Sequence, residues 1–296
     1  NPQLIQDQKP TVEKPHISVS RIKMYFKCGE MYRRRVIEKE PLVPTIALHK
    51  GSGVHSGAEL NFKQKVASFK DLPASQIKDA AVSAFDTRIK QEGLILTKDE
   101  ESVGVGNIIA KAKDRTAVMA GIFAAEVAPR HQPLIVEQYQ TIALNDELDL
   151  LVKLDLIEDG GFTDLKTSKR KMNQAEIDKD LQYTIYALAE KARTGRDESR
   201  IVIENIVDAP KNPKAEQFLT VRAKRQFKSA VDQINLFLYG VKSGVFMPAQ
   251  KGSWYCKEDT CGYARTCRFF QYYDRGGGAV QKPFWMNFKK KKAEAA

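Results

Sequence analysis

The sequence predicts a mixed α/β (α+β) fold in which a central mixed β-sheet is flanked by helices. Apolar residues recur mostly at helical spacing in the first half, strand-like alternation begins near residue 134, and helical periods return between and after the strands. The composition, 42% apolar and 29% charged over 296 residues, is that of a folded protein with enough apolar side chains for a buried core.

The amino-terminal half is predicted to be an arm followed by helices. Residues 1–17 contain three prolines and little apolar periodicity, which is typical of an extended arm. Ser18 or Ser20 can cap a first helix that contains Cys28. A second helix is predicted over 53–68, and two or three more over 73–128, with interruptions near Gly93 and Gly104.

The strands are predicted in the second half. Three with short turns cover 134–144, 148–157 and 161–167, and two more cover 201–207 and 217–221. One helix is predicted from Asn173, a favourable cap, to Gly195, a favourable stop, and another over 223–243.

The turn between the second and third strands has the strongest local signal in the chain. Asp159 and Gly160 stand between apolar segments, and both residue types tolerate the positive φ angles of a type I′ turn. If Glu158 pairs with Gly161, the register of the whole hairpin is fixed.

This register brings charged side chains together. Asp155 falls opposite Asp164, and Lys166 shares the face of Asp164 because alternate residues of a strand point to the same side. Two facing carboxylates about 5 Å apart repel each other unless a cation lies between them. Such oxygen ligands suit Mg²⁺ or Mn²⁺, and a nearby lysine can orient an attacking water or neutralise a phosphate. The alternative is an exposed hairpin with solvated charges.

Two further polar pairs have the i, i+4 spacing that places both members on one helix face. His55 and Glu59 lie in a glycine-rich segment that permits close approach of a backbone or ligand. Gln182 and Tyr186 lie in the helix after the hairpin. Taken alone, a surface helix pair explains the first equally well, and solvent exposure with core packing explains the second.

The four cysteines lie near the two ends of the chain. Cys28 stands alone, whereas Cys256, Cys261 and Cys267 fall within 12 residues. In a reducing compartment, clustered thiolates favour a metal or iron–sulfur site over disulfides. Four thiolates can hold a 4Fe–4S cluster or a tetrahedral zinc ion, and buried cysteines without a ligand are the third alternative.

The net charge of +11 is confined to the same two ends. Residues 1–50 carry 10 basic and 5 acidic side chains, residues 251–296 carry 10 and 4, and residues 51–250 carry 28 of each sign. A basic surface where the ends meet is typical of proteins that bind polyanions. For Lys289 to Lys292, a solubility tail is the alternative.

Taken in order, these motifs resemble the RecB-like branch of the PD-(D/E)XK nuclease superfamily. The similar members carry an iron–sulfur cluster: the CRISPR-associated RecB-like exonucleases, the AddAB nuclease domains and related phage exonucleases. The resemblance covers about residues 18–270. One departure is the C-x4-C-x5-C spacing of the terminal cysteines, because the family pattern has two residues in the first gap. This departure keeps zinc open as an alternative.

The resemblance implies a restriction-endonuclease-like core with a helical insertion, and it assigns catalytic roles. Asp155, Asp164 and Lys166 would be catalytic, the two carboxylates as ligands of Mg²⁺ or Mn²⁺ and the lysine positioning the attacking water. His55 and the Leu165 carbonyl would be further metal ligands.

The resemblance also implies supporting roles. Gln182 and Tyr186 would bind DNA or support the site, and Glu137 on the preceding strand would face it. The iron–sulfur ligands would be Cys28, Cys256, Cys261 and Cys267.

The predicted organisation has six parts. They are an arm (1–17), a helix contributing Cys28 to the cluster (18–50), a helical region with His55 (51–130), the nuclease core (131–245), an iron–sulfur subdomain completed by the chain's other end (246–275) and a flexible basic tail (276–296).

These features predict a metal-dependent deoxyribonuclease, and specifically an exonuclease, in phage or prokaryotic DNA recombination, repair or processing. A separate helicase, recombinase or single-strand-binding protein is the expected partner, since the chain has no G-x-x-x-x-G-K-[ST] motif. No apolar run suits a membrane span or a secretory leader, so the expected location is cytoplasmic. The alternatives are an inactive nuclease-like DNA-binding module and a DNA-binding protein that senses redox state through the cluster.

Overall fold

The computed structural model describes residues 15–144, 146, 148–196, 200–250, 252–257 and 260–274. The chain divides into two compact units after Met247. Most of the predicted arm and the tail at 276–296 lie outside the described residues. No helix in the described ranges is both long and apolar enough to cross a membrane.

The helices and strands have the following bounds. The helices are α1 (Val19–Lys27), α2 (Gly29–Tyr32), α3 (Ile46–Ser68), α4 (Ala74–Glu92), α5 (Lys98–Val103), α6 (Val105–Ile122), α7 (Gln174–Lys179), α8 (Leu181–Thr194), α9 (Lys224–Lys242) and α10 (Arg268–Asp274). The strands are β1 (His16–Ser18), β2 (Ile135–Ala143), β3 (Asp149–Glu158), β4 (Gly161–Ser168), β5 (Arg200–Val207) and β6 (Lys214–Thr220).

The first unit is built on a mixed sheet, as predicted, but the sheet has six strands where five were predicted. The strand order is β1-β3-β4-β5-β6, with β2 also paired to β3. The pairs β1–β3 and β4–β5 are parallel, and the other pairs are antiparallel. Strand β1 lies in the segment predicted to be an arm, and β6 begins three residues before its predicted start.

Strand β3 has an interrupted edge. Because β2 pairs with β3 over 149–157, β1 at residues 149–151 and β4 at residues 156–158 must share the opposite edge. Among the described strands, none pairs with residues 152–155 on that edge. The interruption leaves space for side chains from β3, β4 and the helices above them.

Helices cover both faces of the sheet. One apolar core joins α3, α4 and α6 to the sheet, with Phe123 and Met119 fully buried just beyond and within α6. A second core joins α1, α8 and α9 to the other face, with Tyr183 and Phe237 each 1% exposed. Removing this apolar surface from water fixes the sheet between two helical layers.

Helix α3 begins at Ile46, seven residues before its predicted start. Glycines near its middle allow it to lie close against α4. A Cβ atom on Gly53 would be 2.7 Å from the Ala81 carbonyl oxygen, and one on Gly57 would be 2.7 Å from that of Ile77. Close helix packing, rather than only ligand approach, therefore explains these glycines.

Two predicted helices are each divided by an extended residue, which corrects the sequence prediction. Cys28 separates α1 from α2 with φ −162° and ψ 102°, because Gly29 docks on the backbone of Met247 and donates to its carbonyl at 2.6 Å. Asp180 separates α7 from α8, where its carboxylate caps α8 by accepting from the amide of Gln182 at 2.8 Å.

Candidate functional site

The hairpin between β3 and β4 turns at the predicted residues and has the predicted pairing beside the turn. The turn is not of type I′, however, because Gly160 has a positive φ and Asp159 does not. Glu158 pairs with Gly161, and Gly160 has a φ of 77°. The ladder extends as far as the pair of Leu156 and Thr163. Beyond this point β4 continues along β5 and leaves β3.

The predicted direct pairing of Asp155 with Asp164 is therefore wrong. Asp164 lies one residue beyond the last pair of the β3–β4 ladder, and the pairing that it keeps is with Ile203 of β5 on the other edge of β4. The amide of Leu165 instead donates to Oδ2 of Asp155 at 2.9 Å. A side-chain hydrogen bond therefore continues the contact between β3 and β4 where their main-chain hydrogen bonds end. The two aspartates remain close enough for the charge of Asp155 to affect Asp164.

Asp155 lies in a cleft beneath α3. Its Oδ2 is 3.9 Å from Nδ1 of His55, which α3 carries over the edge of the sheet. The cleft has a volume of about 420 Å³. Its ionisable lining residues are His55, Glu59, Arg88, Glu137, Lys153, Asp155 and Lys166.

Glu137 enters this cleft from β2, as the resemblance implies. It lies opposite Asp155, between the pairs Val136–Leu156 and Gln138–Leu154, and it forms an ion pair with Lys153. Its φ of 56° is in the left-handed region, which non-glycine residues seldom adopt. Such strain tends to be retained at functional sites.

Asp164 is buried and is held from two sides. Its Oδ2 lies 2.7 Å from Nζ of Lys166 and accepts from the hydroxyl of Tyr183 at 3.2 Å. Its Oδ1 accepts from Nε2 of Gln182 at 3.3 Å. Helix α8 thus supplies two donors to the carboxylate. Gln182 is one of the predicted site residues, whereas Tyr183 was missed because a buried tyrosine on an apolar helix face carries no distinctive sequence signal.

Among the described residues, the hydrogen-bond partner of the Tyr186 hydroxyl is Gln182, not Asp155 or Asp164. This hydroxyl accepts from Nε2 of Gln182 at 3.3 Å, and the Tyr186 ring packs edge-on against Phe162 at 5.9 Å. It therefore braces Gln182 from the apolar side.

The electrostatics of the site keep Lys166 charged. Burial raises the pKa of Asp164; the ammonium of Lys166 lowers it and the charge of Asp155 raises it, and the pKa stays raised. Burial by itself lowers the pKa of Lys166, but the carboxylates of Asp164 and Asp155 outweigh this effect and the pKa is raised. At neutral pH Lys166 is therefore a hydrogen-bond donor and not a base.

The donor types at the cleft fit a hard divalent cation. The carboxylates of Asp155 and Glu137 and the imidazole of His55 line the cleft, and oxygen and imidazole ligands of this kind suit Mg²⁺ or Mn²⁺. Burial and, to a lesser extent, the charge of Asp155 raise the pKa of Asp164, and a cation beside the two carboxylates would oppose both effects. In the described parts of the chain, however, no three His, Cys, Asp or Glu side chains already converge as a ligand set.

All four cysteines are half-buried thiols. Cys28 belongs to the first unit, and Cys256, Cys261 and Cys267 belong to the second. The second unit contains tight turns at these residues, with the Cys261 amide donating to the carbonyl of Lys257 at 2.9 Å. The iron–sulfur cluster and its zinc alternative stay predictions.

Comparison with known proteins places these features in context. The sequence model of the PD-(D/E)XK nuclease superfamily matches residues 16–268. The fold is similar to that of a "putative exonuclease" from Eubacterium rectale, with a TM-score of 0.52, 15% identity and 92% of each chain covered. The structure of SSO0001 matches with a TM-score of 0.38 and 13% identity, covering 88% of this chain and 90% of that one. No curated protein matches the chain.

Proposed function

Because the chain belongs to the PD-(D/E)XK nuclease superfamily, we propose that it hydrolyses phosphodiester bonds of DNA as a divalent-metal-dependent exonuclease. Nucleases of this superfamily generally use divalent metal ions, and DNA is the substrate that membership implies. The observation that carries the proposal is the cleft at the interrupted edge of β3, which Asp155, His55 and Lys166 line together.

The chain's own residues would orient the reacting groups. Lys166, kept protonated by its carboxylate neighbours, donates hydrogen bonds that can position a water and offset negative charge on a phosphate. Gln182 and Tyr183 fix the carboxylate of Asp164, so that it does not rotate during the reaction. Asp155 is fixed by the Leu165 amide.

The metal ligands would be Asp155, Asp164 and the Leu165 carbonyl, with His55 and Glu137 completing the set. A divalent ion at this position supplies Lewis-acid chemistry, lowering the pKa of water and stabilising charge on the transferred phosphoryl group.

Substitution of the two central residues tests the catalytic assignment. We expect Asp164→Ala and Lys166→Ala to abolish cleavage of labelled DNA in Mg²⁺ or Mn²⁺ while DNA binding in a gel-shift assay is retained. Matched controls are Asp86→Ala, which removes a carboxylate paired with Lys113, and Lys214→Ala, which removes an ammonium paired with Glu216. Normal cleavage by both site variants would refute the proposal.

Metal removal and DNA topology test the remaining parts. Chelation by EDTA should stop cleavage, and added Mg²⁺ or Mn²⁺ should restore it. An exonuclease degrades linear DNA from its ends and leaves closed circular DNA intact, so cutting of closed circles would show an endonuclease instead.

We also propose that the four cysteines hold a 4Fe–4S cluster with a structural role, since hydrolysis transfers no electrons. Tight sequence spacing of the three carboxyl-terminal thiols supports this. Anaerobically purified protein should then contain iron and absorb visible light, and Cys261→Ser should lose both. Stoichiometric zinc in colourless protein would contradict the cluster.

The biological setting that we propose is phage or prokaryotic DNA recombination, repair or processing. A helicase, recombinase or single-strand-binding protein is the partner that we propose to supply the DNA end. Co-purification of tagged protein with such a partner from nuclease-treated extract tests this setting.

A further inference from the structure

A buried polar cluster lies behind the catalytic hairpin and takes no part in the chemistry described above. His131 is 4% exposed, its Nδ1 is 3.0 Å from Oε2 of Glu158, and its Nε2 is 2.9 Å from Oε1 of Glu204. The two carboxylates are themselves buried, at 7% and 0% exposure. Burial of two carboxylates is costly unless a cation and hydrogen bonds compensate for the lost water.

The hydrogen bonds determine the charge of the imidazole. A neutral histidine has only one N–H, so it cannot donate to two ionised carboxylates at once. The ring between Glu158 and Glu204 is therefore an imidazolium. Charged groups facing the cluster are Arg130 at Glu204, Arg200 at Glu158 and, around an adjacent void, His55, Glu59, Glu137 and Asp155.

Two contacts join the cluster to the residues on either side of Asp164. The hydroxyl of Thr163 donates to Oε2 of Glu158 at 2.6 Å. Leu165 is in direct register with Glu204 across the parallel pair β4–β5. The β3–β4 ladder ends at Thr163, so beyond that residue the main chain of β4 is paired with β5 and no longer with β3.

Only a small void separates the cluster from the cleft. Its volume of about 20 Å³ suits one water molecule, and its lining includes His131, Glu204, His55 and Asp155. A close-packed interior transmits displacements because it has few voids to absorb them. A shift of the cluster would therefore move the hairpin and the groups around the cleft.

We propose that His131 is a positioning residue. Its imidazolium ring attracts Glu158 of β3 and Glu204 of β5, and it thereby sets the position of the segment from Asp164 to Lys166. The inference rests on the proposed nuclease function, because the segment it positions is the one assigned to hydrolysis.

Steady-state kinetics of the full chain test this role. A displacement of about 1 Å can cost about 100-fold in rate, so we expect His131→Gln to lower kcat between about 10- and 100-fold with KM for DNA little changed. The double variant His131→Gln/Glu204→Gln should regain most of kcat, since it removes one of the two carboxylates that lose the imidazolium between them. The control is His49→Gln, which alters a histidine 1% exposed and bonded to the Gly93 carbonyl, and whose kcat should be unchanged.

An unchanged kcat in folded His131→Gln would overturn the proposal. If His131→Gln does not fold, Thr163→Val carries the test, because it keeps the side-chain shape and removes only the hydroxyl bound to Glu158. Loss of a hydrogen bond of about 1 kcal/mol corresponds to about fivefold, and we expect kcat to fall by that factor. Unchanged kcat in Thr163→Val would then overturn the proposal.

The pH dependence distinguishes positioning from a merely structural role. Burial lowers the pKa of His131, but hydrogen bonds to Glu158 and Glu204 outweigh this and raise it to about 8. Above that pH the wild-type ring loses the second proton that bridges the carboxylates. The ratio of wild-type kcat to His131→Gln kcat should therefore fall toward one between about pH 7 and pH 9. A constant ratio would overturn the proposal.

Hydrogen exchange separates this inference from the proposed function. His131→Gln should speed amide exchange across residues 161–168, and His49→Gln should not. If the wild-type chain cleaves no DNA with any divalent metal, the nuclease assignment fails, whereas the exchange result still decides whether His131 holds the hairpin. Equal exchange in wild type and His131→Gln would show that it does not.

Discussion

The carboxylate of Asp164 depends on donors that come from different parts of the chain. Lys166 lies two residues away on the same strand, while Gln182 and Tyr183 come from α8. A buried carboxylate with three donors has few alternative rotamers, so its orientation is set before substrate arrives. The ring of Tyr183 packs in the apolar core, and its hydroxyl donates to Asp164. The hydroxyl can therefore be removed without changing the packing of the ring.

Removal of that hydroxyl should therefore affect catalysis more than folding. A hydrogen bond to a charged group contributes about 1.5–3 kcal/mol, so we expect Tyr183→Phe to lower kcat by about tenfold or more while KM changes little. Tyr32→Phe is the matched control, since Tyr32 is equally buried in the same core. Equal kcat in the two variants would show that the Tyr183 hydroxyl does not position Asp164.

Contacts between individual residues were predictable from the sequence where they depend only on residues close together in the chain. The Asp159–Gly160 turn fixed the pairing of Glu158 with Gly161, which the structure confirms. The absence of a direct pairing between Asp155 and Asp164 was not predictable, because the turn fixes the register beside it but not the residue at which the β3–β4 ladder ends. The His131 cluster was also invisible, since its members are 27 and 73 residues apart.

At the scale of elements, α3 positions His55 by packing against α4. The contact relies on glycines, whose missing side chains let the two helices approach. The predicted start of α3 was late because glycines lower helix propensity in an isolated segment, whereas burial against α4 overrides this preference.

Two alanine substitutions of helical glycines should have opposite effects on stability. At Gly57 a Cβ atom would be 2.7 Å from the carbonyl oxygen of Ile77, and we expect Gly57→Ala to lower the free energy of unfolding by about 1–3 kcal/mol and to reduce cleavage by shifting His55. At Gly106 a Cβ atom would meet nothing within 4 Å in the described part of the chain apart from its own stretch of helix, so Gly106→Ala should raise the free energy of unfolding by about 0.5–1 kcal/mol. Denaturant unfolding measures both, and equal effects would contradict the packing account.

At the scale of the whole molecule, one buried histidine links stability to pH. The pKa of His131 rises from an ordinary value of about 6.5 to about 8 in the fold. Its stabilising contribution is therefore complete below about pH 6.5 and is lost as the pH rises through about 8. The difference between these two pKa values of His131 corresponds to about 2 kcal/mol of the free energy of unfolding.

Denaturant unfolding as a function of pH checks this expectation. The wild-type chain should lose about 2 kcal/mol between about pH 6.5 and pH 9, and His131→Gln should lose much less. His49→Gln should follow the wild type. If the free energy of unfolding changes equally with pH in all three proteins, His131 is not protonated in the folded protein.

The interrupted edge of β3 has a consequence for synthesis of the chain. Its borders are β1, which begins at residue 16, and β4, which is held in place by β5, ending at residue 207. A growing polypeptide cannot assemble both borders until residue 207 has left the ribosome. If the proposed nuclease activity is correct, we therefore expect nascent fragments that end before residue 207 not to cleave DNA, so that only the folded chain can act on the genome of the cell that makes it.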